Sequence, residues 1–550
     1  MLTRRALLAT SAAAGLAAGG CSHMDLDGAA APEASGPLSE ADIIRSAMRR
    51  ATDFMTDRVA VNGGYVWSYL PDFSRRWGEL EAYPSQIWVQ PQGTGTMGHL
   101  FLDAFHVTGD EAYLRAAEAA GQALADGQHP AGGWNYLIDT AGEESLRRWY
   151  DTIGKNGWRL EEFQHYYGNA TFDDAGTAEA SQLMLRLFLE TGDARWRGPL
   201  DRAIAFVLDS QYPNGGWPQR HPQAEAHGLH GMDDYTRLIT FNDDVAGENI
   251  EFLLMVRATM GADPRIEDAI RRGMNIFIET QQPAPQPGWG LQHRLDDLRP
   301  SAARSYEPEA LATHTTATNV NSMMTFYQLT GDRRFLARLG EALDWLEALR
   351  SPPGVAPEGR SHPTFIQIGT NRPLYIHRRG SNVVNGEYYA DEDPTRTLAH
   401  YGSFRQINVE ALRERLARLE AMTPEEASRG SPLLTAEPLP LPSAFILRVV
   451  DLPDLFEGAD RTLVTPDAGA AAEVVDALNA EGWWPTPLAY ASNPYIGDGS
   501  PTPAPGDFAL SHVGDATDTS PYPDPDPAIG ISTSAYIEKM GVLLRRLAAV

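Results

Sequence analysis

Cysteine is almost missing from this chain: 550 residues contain one, Cys21, so no internal disulfide can form and stability has to come from packing. Long apolar runs are missing as well, and beyond the first residues none is long enough to span a bilayer. Positive charge is in short supply, with 45 Lys+Arg against 73 Asp+Glu for a formal net charge of −28. Binding of nucleic acid rests on cationic neutralisation of phosphates, so that partner is excluded. An anionic ligand would need a local basic patch or a bridging metal. No Gly-rich loop follows a strand and opens a helix, so nucleotide and flavin signatures are absent too.

What the chain does have is 43% hydrophobic and 9% aromatic residues, enough for a large core. It opens with "MLTRRALLATSAAAGLAAGGC", in which Arg4-Arg5 precede an Ala/Leu run ending at Cys21. This pattern predicts a twin-arginine, lipoprotein-type signal over residues 1–21 and a linker over 22–40. The expectation is an exported monomer, periplasmic or a lipoprotein of the outer membrane or cell surface, touching membrane only through a lipid on Cys21.

A repeat organises the rest. "GQHPAGGWNY", "SQYPNGGWPQ" and the looser "TQQPAPQPGWGLQ" each precede a polar stretch and a helix start, at "TFDDAGTAEA", "TFNDDVAGEN" and "THTTATNVNS". The helices stop alike at Thr108-Gly109-Asp110, Thr191-Gly192-Asp193 and Thr330-Gly331-Asp332, where Gly serves as a C-terminal stop. Helix, Gly-Asp turn, helix and Gly-Gly-Trp loop form one unit, and such hairpins stack into an α/α toroid with one set of loops at one end. This predicts a mainly α catalytic body over residues 41–428. Short β-hairpins follow residue 350, and 429–550 form an extension with a poorly ordered loop over 501–527 and a closing helix. Asp173-Asp174 and Asp243-Asp244 read as matching acidic pairs at two helix starts. Capping accounts for one Asp per helix, and a second asks for something more.

The ordered set "QYPNGGWPQRHP", "TFNDD", "QPGWGLQHRLDDLRPSAARSYEPEAL" and "IGTNRPLYIHRRG" resembles the pectic acid lyases, polysaccharide lyase family 10, over residues 42–404. The resemblance implies an α/α toroid and Ca²⁺-assisted β-elimination of an acidic polysaccharide, pectate above all. It implies an acidic, metal-holding site at Asn242, Asp243 and Asp244, with Arg304 catalytic and Arg372 and Arg378 gripping substrate carboxylates. Arg220, just past the tight turn, joins the substrate-binding set, and Trp217 and Trp289 offer ring faces to sugars.

Two positions depart from the family. Arg294 stands where members carry an acidic calcium ligand, and His314 stands where some carry an Arg proposed as base. The departures suggest that Arg294 neutralises the substrate carboxylate and that neutral His314 removes the C5 proton. The plainer alternative pairs Arg294 with Asp296 or Asp297 and leaves His314 in its helix start. Two other functions stay open: a glycoside hydrolase using Asp174 and Asp244, and a non-catalytic glycan-binding protein. Polymer, methylation and endo or exo action are not legible.

Overall fold

Three times the chain turns from one helix into the next through the same Thr-Gly-Asp corner. The hydroxyls of Thr108, Thr191 and Thr330 each donate to the carbonyl four residues back at 2.7 Å. Each also accepts the N–H of the Asp two residues on at 3.1 Å. Gly109, Gly192 and Gly331 between them take φ of 70°, 63° and 71°, which favours glycine. The Asp then caps the next helical turn through the N–H groups of Ala112, Arg195 and Arg334, 2.9 Å in each case.

In the computed structural model the described residues are 38–381, 386–399, 401–448, 450–502 and 504–550. The signal reading at Arg4, Arg5 and Cys21, and the linker to residue 37, lie outside them. The helices are α1 (Glu40–Phe54), α2 (Thr94–Thr108), α3 (Glu111–Asp126), α4 (Glu143–Trp149), α5 (Gly176–Thr191) and α6 (Arg197–Ser210). They continue with α7 (Val245–Met260), α8 (Pro264–Thr280), α9 (Thr313–Thr330), α10 (Leu339–Ala348), α11 (Val409–Glu420), α12 (Pro424–Ala427), α13 (Ala468–Asp476) and α14 (Thr533–Leu547).

The pairs α2/α3, α5/α6, α7/α8 and α9/α10 pack as hairpins, and α2, α5 and α7 pack side by side. This is the α/α toroid expected from the repeat. Its two layers differ in sequence for a physical reason. α2, α5, α7 and α9 are buried almost all round, whereas α3 and α8 are amphipathic and keep one face in solvent.

The expected closing helix is α14, which lies against both α1 and α2. The expected hairpins follow α10: strands Phe365–Gln367, Pro373–Arg379 and Glu387–Asp391 join Ala310–Ala312, which precedes α9, in one antiparallel sheet of order Ala310–Ala312, Phe365–Gln367, Pro373–Arg379, Glu387–Asp391.

The C-terminal extension is tied to the helices at many points. Asp103, fully buried on α2, pairs with Arg186 of α5 at 2.8 Å. It also accepts the N–H groups of Phe445, Ile446 and Leu447 at 2.9, 2.8 and 3.2 Å. Arg186 donates to the Ser443 carbonyl and Arg257 of α7 to that of Thr435. Residues 435–447 therefore cross the C-terminal halves of the inner helices, away from the helix starts.

Within the loop over 501–527, residues 514–520 depart from the expectation of low order. Asp518, Thr519 and Ser520 are buried, and Asp518 accepts the N–H groups of Trp158 and Gly514. The Thr519 N–H donates to the Asn156 carbonyl at 3.0 Å. Proline and aspartate composition marks this stretch as irregular, but polar side chains that fold back onto the backbone order it.

Candidate active site

The inner helices α5, α7 and α9 each start beside the strand that leaves a Gly-Gly-Trp-type loop. The N–H groups of Thr171, Thr240 and Ala312 donate to the carbonyls of Trp134, Trp217 and Trp289 at 2.8, 2.9 and 2.8 Å. Those of Phe172 and Phe241 donate to Gln219 and Leu291, both at 2.9 Å. The indole N–H of each Trp reaches back to the preceding helix, to the carbonyls of Leu124, Val207 and Phe277.

Gly215 takes φ +97°, and a Cβ there would sit 2.2 Å from the Arg272 carbonyl oxygen, so only glycine lets the turn lie this close to α8. The tight turn therefore serves to staple a tryptophan into the core. Trp217 and Trp289 are fully buried and have no ring face to offer a sugar, which corrects their assignment as substrate-binding residues.

The helix starts themselves are unusual. Asp174 and Ala175 take φ of 51° and 57°, and Asp243 and Asp244 take 50° and 58°, a left-handed pair of non-glycine residues in each repeat. Such residues cost about 1–3 kcal/mol apiece and gather at functional sites. The match between repeats therefore pairs Asp173 with Asn242, Asp174 with Asp243 and Ala175 with Asp244. Reading the two Asp-Asp pairs as equivalent is off by one residue. The paired carboxyls are Asp174 and Asp243, while Asp244 lies against Gly247 in the first turn of α7.

Arg304 stands at the centre of what gathers here. Its guanidinium contacts Asp173 at 2.7 Å, Glu307 at 3.1 Å and Glu162 at 3.2 Å, and all four groups are buried. The Tyr136 hydroxyl donates to Asp173 at 2.7 Å and that of Tyr401 to Glu307 at 2.8 Å. Gln90 donates to both Glu79 (3.0 Å) and Asp174 (2.7 Å), and Asn242 donates to Asp243 at 2.6 Å.

One guanidinium thus faces a crowd of carboxyls. Burial, then repulsion from Asp243, holds the Asp174 carboxyl well above the ordinary range. Burial, then Asp173, does the same to Asp243. Burial raises Glu79 and pushes Glu162 up to about 8. At about 8 the Glu162 carboxyl keeps its proton at neutral pH, and carboxyls raised in this direction are suited to serve as acids.

Asp174, Asp243, His314 and Arg405 are only half-buried and form the open rim of the cluster. Nδ1 of His314 is shut from solvent with no hydrogen-bond partner. Burial, aided by the neighbouring Arg405, holds its imidazole well below the usual histidine range.

Arg405 comes from the strand Phe404–Arg405, which pairs with His362–Pro363. Its Nε donates to Thr364 Oγ1 at 3.2 Å, and its charge also faces Asp243. Sequence reading missed Arg405, because a two-residue strand far from every repeat motif carries no local signal. Glu79 and Glu162 lie outside the repeat motifs as well, and Glu307, inside the quoted motif three residues after Arg304, was not singled out because its role shows only in the ion pair.

The basic residues implied by resemblance lie elsewhere. Arg294 pairs with Glu309 at 2.9 Å and faces Asp297 at 4.0 Å, close to the plainer alternative, so it is not the cation beside Asp243. Arg372 is exposed and paired with Glu392. Arg378 is buried over the Trp158 ring and donates to the carbonyls of Phe508, Ser511 and Val513. Held in that way, it is not free to grip a substrate.

Calcium takes six to eight oxygens at about 2.3–2.6 Å. Among the described residues no group of three or more His, Cys, Asp or Glu side chains is set to hold a metal. Asp173, Asp174 and Asp243 are each engaged by Arg304, Gln90 or Asn242. This donor set does not fit a calcium cage, and no step below is routed through one.

Residues 144–392 match the family model described as pectic acid lyase, so the resemblance read from the motifs is borne out over that stretch. No curated protein matches the chain. Among solved structures, a mutant family 10 polysaccharide lyase from Cellvibrio cellulosa in complex with trigalacturonic acid has 16% identity and a TM-score of 0.39, covering 60% of this chain and 94% of its own. An α-1,6-mannanase from Salegentibacter sp. HEL1_6 has 11% identity and a TM-score of 0.35, covering 93% of this chain and 99% of its own. An unsaturated glucuronyl hydrolase specific for heparin has 12% identity and a TM-score of 0.34, covering 58% and 69%.

Proposed function

We propose that the chain is a polysaccharide lyase that cleaves a uronic acid polymer, pectate first among them, by β-elimination. The observation that carries this is the rim: a neutral imidazole and carboxylic acids sit together at the inner helix starts, within the stretch that matches the pectic acid lyase model, and the cation Arg405, just beyond that stretch, faces them.

The chemistry follows from what each group holds. In a uronate chain the C5 proton is acidic enough to leave only when the neighbouring carboxylate is neutralised. Arg405 supplies that charge. His314 takes the C5 proton, the electron pair forms the C4–C5 double bond, and the C4–O bond breaks. The leaving oxygen needs a proton, and Asp243 or Asp174, both raised by burial and by neighbouring carboxyls, supplies it. The products are one fragment with a new reducing-end hydroxyl at C1 and one with an unsaturated uronate at its new non-reducing end.

A second reading rests on the same two carboxyls: a glycoside hydrolase would use Asp174 and Asp243 as acid and base. The product decides. Incubation of the chain with pectate, methylated pectin and other polyuronates should yield an ultraviolet-absorbing unsaturated end. New reducing ends without that absorbance would replace the lyase by the hydrolase, and saturable binding with no product by a glycan-binding protein. Export through Arg4-Arg5 and anchoring at Cys21 are part of the same proposal, since a pectate substrate lies outside the cytoplasm. Replacing Arg4-Arg5 by Lys-Lys should leave precursor inside the cell.

A further inference from the structure

Arg220 is a buried cation without a counter-ion. It is 2% exposed, and Arg cannot shed its charge. Arg304 has three carboxylates and Arg186 has Asp103. Arg220 forms no ion pair with any described residue, although the chain carries a net charge of −28.

Its Nη1 makes two long contacts, 3.4 Å to Asn135 Oδ1 and 3.3 Å to Asn169 Oδ1, and its Nη2 is buried with no partner. The rings of Tyr136 and Tyr167 each lie 5.0 Å from the guanidinium carbon. Tyr150 faces it as well, held by Asn135 at 2.9 Å. Ring faces offset only part of the cost of burying an unpaired charge.

This cation is one side chain away from the reacting cluster. The Tyr136 ring that lies under Arg220 carries the hydroxyl bonded to Asp173, and Arg220 pairs across the strand with Thr171, two residues before that Asp. Tyr167 closes over it from a loop that is pinned to residues 222–234. The Tyr167 hydroxyl donates to the His227 carbonyl at 3.4 Å, Asn169 donates to the Pro222 carbonyl at 2.8 Å, and the His165 and His227 rings stack 3.5 Å apart.

We propose that Arg220, with Asn135 and Asn169, is the receptor for a second uronate carboxylate, that of a sugar flanking the reacting one, reached when Tyr167 and the 222–234 loop lift. A carboxylate there would take the free Nη2 and supply the missing charge, while the two amides orient the fork. The inference rests on the reading of the substrate as an acidic polysaccharide.

The test uses the full chain, trigalacturonate and its methyl ester, with binding followed by calorimetry and folding by thermal melting. The native chain should bind the acid at least about tenfold tighter than the ester, as a charge-assisted hydrogen bond implies. Arg220→Met should weaken that preference about tenfold, leaving the share that Arg405 supplies, and melt higher than the native chain without ligand, because it removes an unpaired buried charge. Arg220→Lys should keep part of the preference. An Arg220→Met chain that retains the full preference, melts lower or fails to fold would overturn the proposal, since Arg220 would then be a structural residue. Binding is read without turnover, so a receptor that passes while no unsaturated product forms removes the lyase reading alone.

Discussion

Asp174 and Asp243 occupy the same place in successive repeats: each is the first of two left-handed residues at the start of an inner helix, and the charge of Asp243 strengthens the hold of Asp174 on a proton. Two strained, half-buried carboxyls in register form an acid site that no single repeat could supply.

Asp243→Asn should abolish turnover while improving stability at high pH. The carboxyl is raised in the folded chain, so its stabilising contribution is present below the unfolded value and lost as pH rises through the folded one. Asn carries no such loss. Melting curves of the two chains should converge in acid and separate progressively as pH rises above the ordinary carboxylate range; parallel curves would show that Asp243 is an ordinary carboxylate.

His314→Ala should remove turnover and leave the fold intact. The native imidazole titrates well below its usual value, so a base at this position stays neutral through the ordinary histidine range. The pH profile should hold its activity down through about pH 6.5 and fall only at lower pH. Loss of activity centred on the usual histidine value would remove His314 from the role of base.

Chelators should leave turnover intact. Asp173, Asp174 and Asp243 are bound by Arg304, Gln90 and Asn242 rather than turned to a common ion. Activity abolished by chelator and restored by Ca²⁺ would show that these side chains regroup around a metal. Arg294→Ala, which removes only a partly exposed pair with Glu309, should then cost less than about 1 kcal/mol of stability and no activity.

Asp103→Ala should destabilise the chain by about 3–5 kcal/mol, since it strands the buried Arg186 and the N–H groups of Phe445, Ile446 and Leu447. Proteolysis near residues 435–447 should rise with it. A variant that melts like the native chain would mean that the extension holds to the helices without this anchor.

The stacked His165 ring predicts sensitivity to acid. Burial, then His227, pushes it down to about 4, so the unfolded chain binds its proton first. The stability it contributes is present above about pH 6.5 and is lost as pH falls toward 4. His165→Phe should flatten the melting curve across that window. An unchanged slope would place the acid loss elsewhere.

The repeat was legible because its signals are local: a glycine that must take positive φ, an aspartate that caps two residues on, and a helix apolar on one face or on all of them. Those rules gave the α/α toroid, its Thr-Gly-Asp corners, the closing helix at Thr533–Leu547 and the helix starts around Asp174 and Asp243. What they could not give is who faces whom. Only the closed tertiary structure sends Trp217 into the core, hands Arg378 to the carbonyls of residues 508–513, brings Arg405 to His314 and leaves Arg220 without a carboxylate. Each of those outcomes depends on residues far apart in the chain, and a side chain's charge, partner and access to solvent are fixed by that long-range packing, whereas the path of the backbone through a repeat is fixed by its neighbours.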